Sequence, residues 1–239
     1  MQLYQDLVTF IRATFNEPAE YIPLHDPRFI GNERRYILEC LDSNFVSSVG
    51  EFVGRFENSC AEYTGAKYAV AAMNGTSALH ISLQLLGVKR DEEVLTQALS
   101  FIATANAISY IGAKPVFIDV DQETMGLSAE RVELFLETNA VTRDDGFPYN
   151  KKTGRRIAAC VPMHTFGHPV KLRELQKVCT RFNIPLLEDA AESIGSTYYG
   201  KHTGTFGKIG VLSFNGNKVI TCGGGGMILT DDEELAKSA

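Results

Sequence analysis

Lys218 lies among turn residues near the carboxyl end of the sequence. It follows the segment Ser213-Phe-Asn-Gly-Asn217 and precedes four consecutive glycines, Gly223 to Gly226. The amine of a lysine in such a setting can form a Schiff base with a carbonyl compound, although a solvated surface lysine is the commoner case. Four glycines permit close approach of the backbone or positive φ angles, at a cost in folding entropy. The apolar segment that follows the glycines argues against a flexible linker.

Two other segments have the residue types to bind parts of a small ligand. Asn74-Gly75-Thr76-Ser77 offers two hydroxyls and free backbone N–H groups before a helix, which suits an anion such as a phosphate. The spacing does not match GxxxxGK[ST], so a P-loop is not indicated, and an ordinary turn capped by Thr76 or Ser77 is the alternative. Asp189 ends an apolar segment, where a carboxylate is costly unless it is paired or hydrogen-bonded. Capping of the next turn is the alternative for Asp189.

The histidines and cysteines do not indicate a metal site. His164 and His168 are four residues apart, but Gly167 and Pro169 interrupt any helix there. The other three histidines have no partner at ligand spacing, and the five cysteines are scattered without a CxxC pair. We therefore expect no metal site, and reduced thiols in a cytoplasmic protein.

Composition and charge disfavour several classes of function. The chain has 239 residues, of which 44% are hydrophobic and 22% charged, as in globular proteins. The formal net charge of −6 disfavours a nucleic-acid-binding surface. No run approaches the roughly 18–20 apolar residues that span a bilayer, and the amino-terminal segment lacks the features of a signal peptide. The sequence therefore predicts a globular cytoplasmic protein without membrane or nucleic-acid partners.

The elements that position these residues alternate in type. From residue 68 onward, short apolar segments typical of strands alternate with helical segments of about ten residues. This order predicts an α/β fold with βαβ units and a mostly parallel sheet, in which ligands bind beyond the carboxyl ends of the strands. Strands are predicted at 68–72, 93–97, 115–120, 157–162, 185–188, 210–214 and 226–230, and helices at 1–15, 31–42, 50–63, 77–86, 101–111, 128–137 and 170–182.

Segment ends carry further local signals. Ser128 is predicted as the N-cap of the helix that follows it. Residues 138–156 are polar and rich in turn residues, which predicts an exposed excursion such as a hairpin. Thr230 is predicted as the N-cap of a last helix, because residues 231–234 are acidic and suit a first helical turn. That helix would end at Ala239 after about two turns, which suggests a fragment of a longer protein.

Five motifs occur in one order along the chain, namely GTSALH, LSFIATANAI, LLEDAAES, SFNGNK and GGGGM. Together they resemble the DegT/DnrJ/EryC1/StrS family of sugar aminotransferases, which depend on pyridoxal 5'-phosphate (PLP). The resemblance covers residues 22 to 235. The stretches IPLHDPRFIGNE, FVSSVGEFVGRFE, RRIAACVPMHTFGHP and SFNGNKVITCGGGG are similar to the LegC-like branch, which aminates UDP-linked 4-keto-6-deoxy sugars.

The resemblance assigns roles to individual residues. Lys218 matches the lysine that holds PLP covalently and serves as acid and base in the proton shift. Asp189 matches the carboxylate that pairs with the pyridinium nitrogen and keeps the ring an electron sink. Phe101 matches the aromatic residue that stacks on the ring, and Glu192 stands where many relatives carry Gln or His near the ring hydroxyl. The phosphate-binding groups are matched by Thr76, Ser77 and Ser213.

The resemblance also implies a fold and an assembly. The family has PLP-dependent transferase fold type I, a large domain with a mostly parallel seven-stranded sheet and then a smaller C-terminal domain. We expect that the smaller domain is missing from this chain. Residues 1–25 would form a helix and arm, and residues 26–239 the PLP-binding large domain. Members are usually homodimers with active sites at the interface. Contacts to the acceptor sugar are expected from His25, Arg28, Ser47, Ser48, Val49, Gly50 and His164.

The leading hypothesis is an aminotransferase. It would move an amino group from an amino acid such as glutamate to the keto carbon of a nucleotide-linked 4-keto-6-deoxy sugar. Family members with histidine in place of the lysine carry out dehydration, and Lys218 therefore favours transamination. A catalytically inactive PLP- or sugar-nucleotide-binding module is the alternative. An NAD-dependent sugar oxidoreductase is a weaker third hypothesis, because no GxGxxG turn follows the first strand.

Overall fold

Three helices precede the first strand. The computed structural model describes residues 2–48 and 50–239, and helix α1 spans Gln2–Phe15, α2 spans Glu33–Ser43 and α3 spans Glu51–Thr64. Gly65 adopts φ = 75° and ends α3, a common role of glycine at the end of a helix. Helix α1 has no buried residue, so its apolar side chains are exposed.

Strands and helices follow, with a strand at each of the seven predicted positions. They alternate through residue 181 apart from a hairpin at 140–150, and five strands then precede the last helix. In chain order they are β1 Tyr68–Ala72, α4 Gly75–Leu85, β2 Glu93–Gln97, α5 Ile102–Tyr110, β3 Lys114–Ile118, α6 Ala129–Asn139, β4 Ala140–Thr142, β5 Pro148–Asn150, β6 Ile157–Val161, α7 Leu172–Arg181, β7 Leu187–Asp189, β8 Thr197–Tyr198, β9 Lys201–His202, β10 Ile209–Ser213, β11 Gly226–Thr230 and α8 Glu233–Ser238.

The main strands form one mostly parallel sheet, which confirms the predicted fold class. A ladder β3-β2-β6 and a ladder β7-β10-β11-β1 are joined by parallel bridges from Cys160 to Leu186 and from Met163 to Asp189. Six of the seven strands joined in this way run in the same direction, and β11 runs in the opposite direction. Every residue of β2, β6, β10 and β11 is buried, as expected for strands that are covered on both faces.

Helices cover both faces of this sheet. Successive residues of β2 point in opposite directions, and Val94 packs in a cluster with residues of α4 and α5, whereas Leu95 packs with residues of α6 and α7. A third cluster joins α3 to β10 and β11 through residues such as Phe214. These clusters hold the carboxyl ends of the strands in a fixed arrangement.

The helix starts predicted at 31, 77 and 170 are each two residues from the observed starts, and two N-cap assignments are wrong. Asn74, and neither Thr76 nor Ser77, caps α4 by accepting a 2.8 Å hydrogen bond from the Ser77 N–H, and the helix begins at Gly75. Asp232, and not Thr230, caps the last helix by accepting from the N–H groups of residues 234 and 235. Ser128 caps α6 as predicted.

The predicted excursion at 138–156 contains the antiparallel pair β4 and β5. One part of it is buried rather than exposed. Asn150 and Thr153 donate hydrogen bonds of 2.8 and 2.7 Å to the carboxylate of Glu93, which is 2% exposed. The hairpin therefore satisfies a buried charge at the start of β2. The small hairpin of β8 and β9 was not predicted. No helix in residues 2–48 or 50–239 has the length and apolar character needed to cross a bilayer.

Candidate active site

A cavity of about 530 Å³ lies beyond the carboxyl ends of the sheet strands. The loops that follow β1, β2, β6, β7 and β10 contribute to its wall, as expected for ligand sites in open parallel sheets. It is lined by Asn74, Gly75, Thr76, Leu79, Leu99, Ser100, Phe101, Ala103, Met163, Thr165, Phe166, Asp189, Ala191, Glu192, Ser213, Asn215, Asn217 and Lys218.

Lys218 extends its amine into this cavity. Its side chain is 9% exposed, and Nζ lies 2.8 Å from Oε1 of Glu192. The same nitrogen is 5.6 Å from the ring centroid of Phe101, within cation–π range. A buried ammonium is costly unless it is paired, so Glu192 and Phe101 together explain how Lys218 stays in the cavity.

Asp189 is a third ionisable group in the cavity wall, beside Lys218 and Glu192. It is 2% exposed, and its Oδ2 accepts a 2.6 Å hydrogen bond from the hydroxyl of Thr104. Its Oδ1 accepts from the backbone N–H of Ala191 at 3.2 Å. Burial nevertheless raises the pKa of Asp189 above its ordinary value, against the effect of these two hydrogen bonds. A cation placed opposite this carboxylate would stabilise its charged form.

The turn before α4 forms one end of the cavity through close packing of backbone on backbone. A Cβ on Gly226 would overlap the carbonyl oxygen of Asn74, and a Cβ on Gly75 would lie 3.0 Å from Cβ of Ser213. Thr76 and Ser213 line the cavity beside the amino-terminal end of α4, which favours anions. Ser77 is absent from the lining residues, and its N–H is bonded to the Asn74 side chain.

The structure places His164 outside the cavity. It is 1% exposed, and Nδ1 accepts from the Val170 N–H at 3.3 Å, so the ring is neutral and Nε2 carries the proton. Nε2 donates a 3.0 Å hydrogen bond to Oε2 of Glu188. Because both ring nitrogens are bonded within the chain, His164 has no atom free for a sugar, and we do not retain it as a substrate contact.

Glu188 anchors a loop directly behind the cavity. It is fully buried, and its two carboxylate oxygens accept from the N–H groups of Gly204, Phe206 and Gly207 in addition to His164. Burial by itself would raise the pKa of Glu188. The hydrogen bonds from His164 and from the backbone outweigh it, so the pKa lies below its ordinary value. The neighbour of Asp189 in the sequence is therefore a structural group that is charged at neutral pH.

The other expected acceptor-site residues are divided between two places. His25 lies near the cavity, where Nε2 is 3.0 Å from the carbonyl oxygen of Lys218. Arg28 is exposed and lies 3.4 Å from Asp26. Ser47 and Gly50 line a separate apolar groove between α2 and α3, and Ser48 is exposed. Val49, also expected there, lies outside the described residues.

Several residues of the site were not assigned roles from the sequence. Thr104 lies in the quoted motif LSFIATANAI, and its spacing of three from Phe101 places both at the start of α5. Asn74 lies in the quoted turn, and Asn is among the best N-cap residues, which was an available signal. Met163 contacts Phe101 through Sδ, 3.5 Å from the Phe101 nitrogen, and nothing in its own segment predicted that role.

The arrangement suits a flat ligand with three different ends. An anionic group fits at the start of α4, a cationic ring atom fits opposite Asp189, and a carbonyl carbon fits near Nζ of Lys218. In residues 2–48 and 50–239 the structure places no three His, Cys, Asp or Glu side chains together as a metal site.

Comparison with known proteins gives a family match. The model of the DegT/DnrJ/EryC1/StrS aminotransferase family matches residues 28–239. GDP-perosamine synthase of Caulobacter vibrioides is 41% identical over 210 residues, which are 88% of this chain and 52% of that protein. The chain thus spans about half the length of the curated relatives it matches.

Solved structures agree with this match. An aminotransferase from Psychrobacter cryohalolentis superimposes with a TM-score of 0.79 and 32% identity, over 92% of this chain and 51% of that chain. The GDP-4-keto-6-deoxy-D-mannose-3-dehydratase of E. coli, solved with bound hydrated PLP, superimposes with a TM-score of 0.76 and 28% identity. It is matched over 90% of this chain and 52% of that chain.

Proposed function

The chain belongs to the DegT/DnrJ/EryC1/StrS aminotransferase family, and from this premise we propose that it forms the PLP site of a sugar aminotransferase. The reaction would move an amino group from an amino acid to the keto carbon of a nucleotide-linked 4-keto-6-deoxy sugar. One observation carries the proposal. The amine of Lys218 and the carboxylate of Asp189, contributed by loops 29 residues apart, line the same cavity.

The cavity fits PLP on four counts. Its volume of about 530 Å³ lies in the range of small-molecule sites. The raised pKa of Asp189 marks a buried carboxylate that would be stabilised by a protonated ring nitrogen. The start of α4, with Thr76 and Ser213, would hold the phosphate. The exposed ring of Phe101 would cover one face of the cofactor.

Lys218 would have two tasks in this reaction. PLP supplies an electron sink when it is bound. Lys218 would hold it through Nζ, and the same amine would later carry the proton of the 1,3-shift. Glu192, at 2.8 Å from Nζ, orients the amine toward the cavity. Asp189 would keep the ring nitrogen charged, because a buried carboxylate is stabilised by a nearby cation. Among the residues that line the cavity, only Lys218 supplies one.

The finer parts of the proposal rest on the resemblance described above. We propose glutamate as the amino donor, a homodimer in the cytoplasm, and a place in the synthesis of amino sugars for surface polysaccharides. We also propose residues 1–25 as an arm and residues 26–239 as the PLP-binding unit. The relative in Caulobacter vibrioides is named for a GDP-sugar, whereas the LegC-like branch uses UDP-sugars, and the proposal is the same for both nucleotides.

A catalytically inactive binding module is the alternative. None of the relatives named above carries a name of that kind, so the comparisons do not favour it. The two hypotheses differ in what happens after the cofactor has bound, because only the enzyme transfers the amine to the sugar.

The first test is chemical trapping. Purified protein is mixed with PLP, reduced with borohydride and digested, and the modified peptide is found by mass spectrometry. We expect a pyridoxyl group on Lys218, its loss in Lys218→Ala and its retention in the control Lys208→Ala. A folded wild-type protein without an adduct at Lys218 would overturn the proposal.

The second test separates the enzyme from the binding module. The full-length protein is loaded with PLP and glutamate, and the acceptor sugar is then added. Amine transfer to a UDP- or GDP-linked 4-keto-6-deoxy sugar is the expected result. Adduct formation at Lys218 without transfer to either sugar would favour the binding module.

A further inference from the structure

The segment between α1 and α2 is an extended arm that touches the lysine itself. Nε2 of His25 donates a hydrogen bond of 3.0 Å to the backbone carbonyl of Lys218, across 193 positions of sequence. In the part of the chain that the structure describes, no other hydrogen bond or ion pair joins residues 2–30 to residues 34–239. The arm is therefore attached to the large domain by polar contact at the reactive residue.

The chemistry of this contact fixes the form of the histidine. A carbonyl oxygen only accepts, so the Nε2 of His25 must carry a proton. Both the neutral tautomer with Nε2–H and the imidazolium meet this requirement.

Lys218 is then held at three points that come from three parts of the chain. Its backbone N–H donates to the carbonyl of Asn215 at 3.0 Å, within its own loop. Its amine is paired with Glu192, from the loop after β7, and its carbonyl is bonded to His25 of the arm. Only the bond from His25 fixes the backbone of Lys218 to a segment outside the loop.

The loop needs such a restraint. It runs from Asn215 to Gly225 and contains Gly216 and the first three glycines of the run, which lose more conformational freedom on ordering than other residues. Val219 and Ile220, the two residues after Lys218, are 65% and 53% exposed, so packing contributes little at this point. The ends of the loop are closed by the bond from the Phe214 N–H to the Gly225 carbonyl, and Thr221 and Cys222 bond back to the Phe214 carbonyl. In the described residues, the Lys218 backbone is bonded between these points to Asn215 of the same loop and to His25 of the arm.

We propose that His25 is a positioning residue for Lys218 rather than a contact of the acceptor sugar. It fixes the backbone of the lysine so that Nζ is directed toward Glu192 and the cavity. This inference rests on the proposed function of Lys218, but the contact itself can be tested independently of catalysis. A single hydrogen bond of this kind contributes a factor of about three to ten in an equilibrium constant.

The experiment compares His25→Ala and His25→Gln with wild type in the full-length protein. Tyr21→Ala serves as the control, because Tyr21 lies in the same arm with its side chain 84% exposed. Three quantities are measured: amide hydrogen exchange of a peptide covering residues 214–222, the Kd for PLP, and the KM for the acceptor sugar at saturating PLP.

Loss of positioning has a distinct signature. We expect faster exchange in residues 214–222 and a Kd for PLP that rises about threefold to tenfold in both His25 variants, with an unchanged KM for the sugar. Tyr21→Ala should leave all three quantities unchanged. Unchanged exchange and Kd would overturn the inference, and a raised KM alone would return His25 to the acceptor site.

Failure of the proposed function gives a different result. If wild-type protein forms no adduct at Lys218, the PLP measurements are void for all variants alike. The exchange comparison still decides whether His25 restrains the loop, because it is made without PLP.

Discussion

The hydroxyl of Thr104 donates a 2.6 Å hydrogen bond to Oδ2 of Asp189, although the two residues are 85 positions apart in the sequence. Thr104 lies in the first turn of α5, and Asp189 ends β7. The bond fixes one carboxylate oxygen and leaves the other with only a 3.2 Å bond from the Ala191 N–H. The carboxylate is thus oriented before any ligand arrives, which reduces the reorganisation needed on binding.

Substitution Thr104→Val should weaken PLP binding about tenfold. Valine has the shape of threonine without the donor, and hydrogen bonds to charged groups contribute about 1.5–3 kcal/mol, where 1.4 kcal/mol is a factor of ten. The pKa of Asp189 should rise further, because Thr104 is the strongest influence that lowers it. The Kd is measured by absorbance titration with PLP. Thr104→Ser keeps the hydroxyl and should bind almost as wild type, and equal Kd values for all three proteins would contradict the role.

The raised pKa of Asp189 predicts a pH dependence of cofactor binding. Below this pKa the carboxyl is protonated and neutral, so it cannot pair with a cationic ring nitrogen. Affinity for PLP should therefore increase as the pH rises through the pKa of Asp189. Asp189→Asn should lack this step and slow transamination by about 100-fold or more. Both proteins are titrated with PLP over the same pH range, so that the ionisations of PLP itself affect the two curves equally. Parallel curves would refute the assignment.

Glu188 should contribute to the pH dependence of the free energy of unfolding. Its folded pKa lies below the unfolded value of about 4.3, so the unfolded chain binds the proton more tightly. The stability from its charge is present above the unfolded pKa and is lost as the pH falls through the folded pKa. At pH 7, Glu188→Gln should lower the free energy of unfolding by about 3 kcal/mol.

The measurement for Glu188 is urea unfolding from pH 7 to pH 3, a range that extends below the unfolded pKa of about 4.3. The difference between wild type and Glu188→Gln should narrow as the pH falls. Glu137→Gln is the control, because Glu137 is paired with Arg181 at an exposed position and should change stability by less than about 1 kcal/mol. A gap between wild type and Glu188→Gln that is constant with pH would contradict the lowered pKa.

The strands and the sheet were predictable because their signal is local. A parallel strand that is covered on both faces needs a continuous apolar run, and segments such as 93–97 and 157–161 are entirely buried. The exact helix starts were less predictable, because several adjacent residues have side chains that can cap. At α4 the sequence indicated Thr76 or Ser77 as the cap, whereas the cap is Asn74, which has the extended backbone conformation of an N-cap, φ −168° and ψ 169°.

The site was predictable only as far as its residues stand in recognisable motifs. Lys218 and Asp189 were named from the sequence, and the structure brings them to one cavity. The partner of Asp189 is a threonine on another element, and the partner of His164 is Glu188, 24 residues away. Residue type and strand position gave no indication that His164 points toward Glu188 and away from the cavity. Such pairings depend on tertiary packing, which a single sequence does not show.

Alanine substitutions at two positions of the glycine run, Gly226 and Gly224, should differ sharply in their effect on stability and on PLP affinity. A Cβ on Gly226 would overlap the carbonyl oxygen of Asn74 and lie 2.8 Å from the nitrogen of Gly75. Gly226→Ala must therefore displace the turn before α4, where the phosphate is proposed to bind. We expect a loss of about 2–3 kcal/mol in the free energy of unfolding, as in other overpacked positions, and a PLP affinity at least tenfold weaker.

Gly224→Ala is the matched control for this prediction. A Cβ there would have the Met73 carbonyl oxygen as its nearest neighbour at 3.8 Å, an ordinary contact. Its φ is not in the left-handed region, so alanine should be neutral or should stabilise the protein by less than about 1 kcal/mol. Urea unfolding and PLP titration of both variants make the comparison. If the two variants lose stability and affinity equally, the close contact of Gly226 with Asn74 is not the reason why glycine is needed there. The run would then act as a flexible hinge.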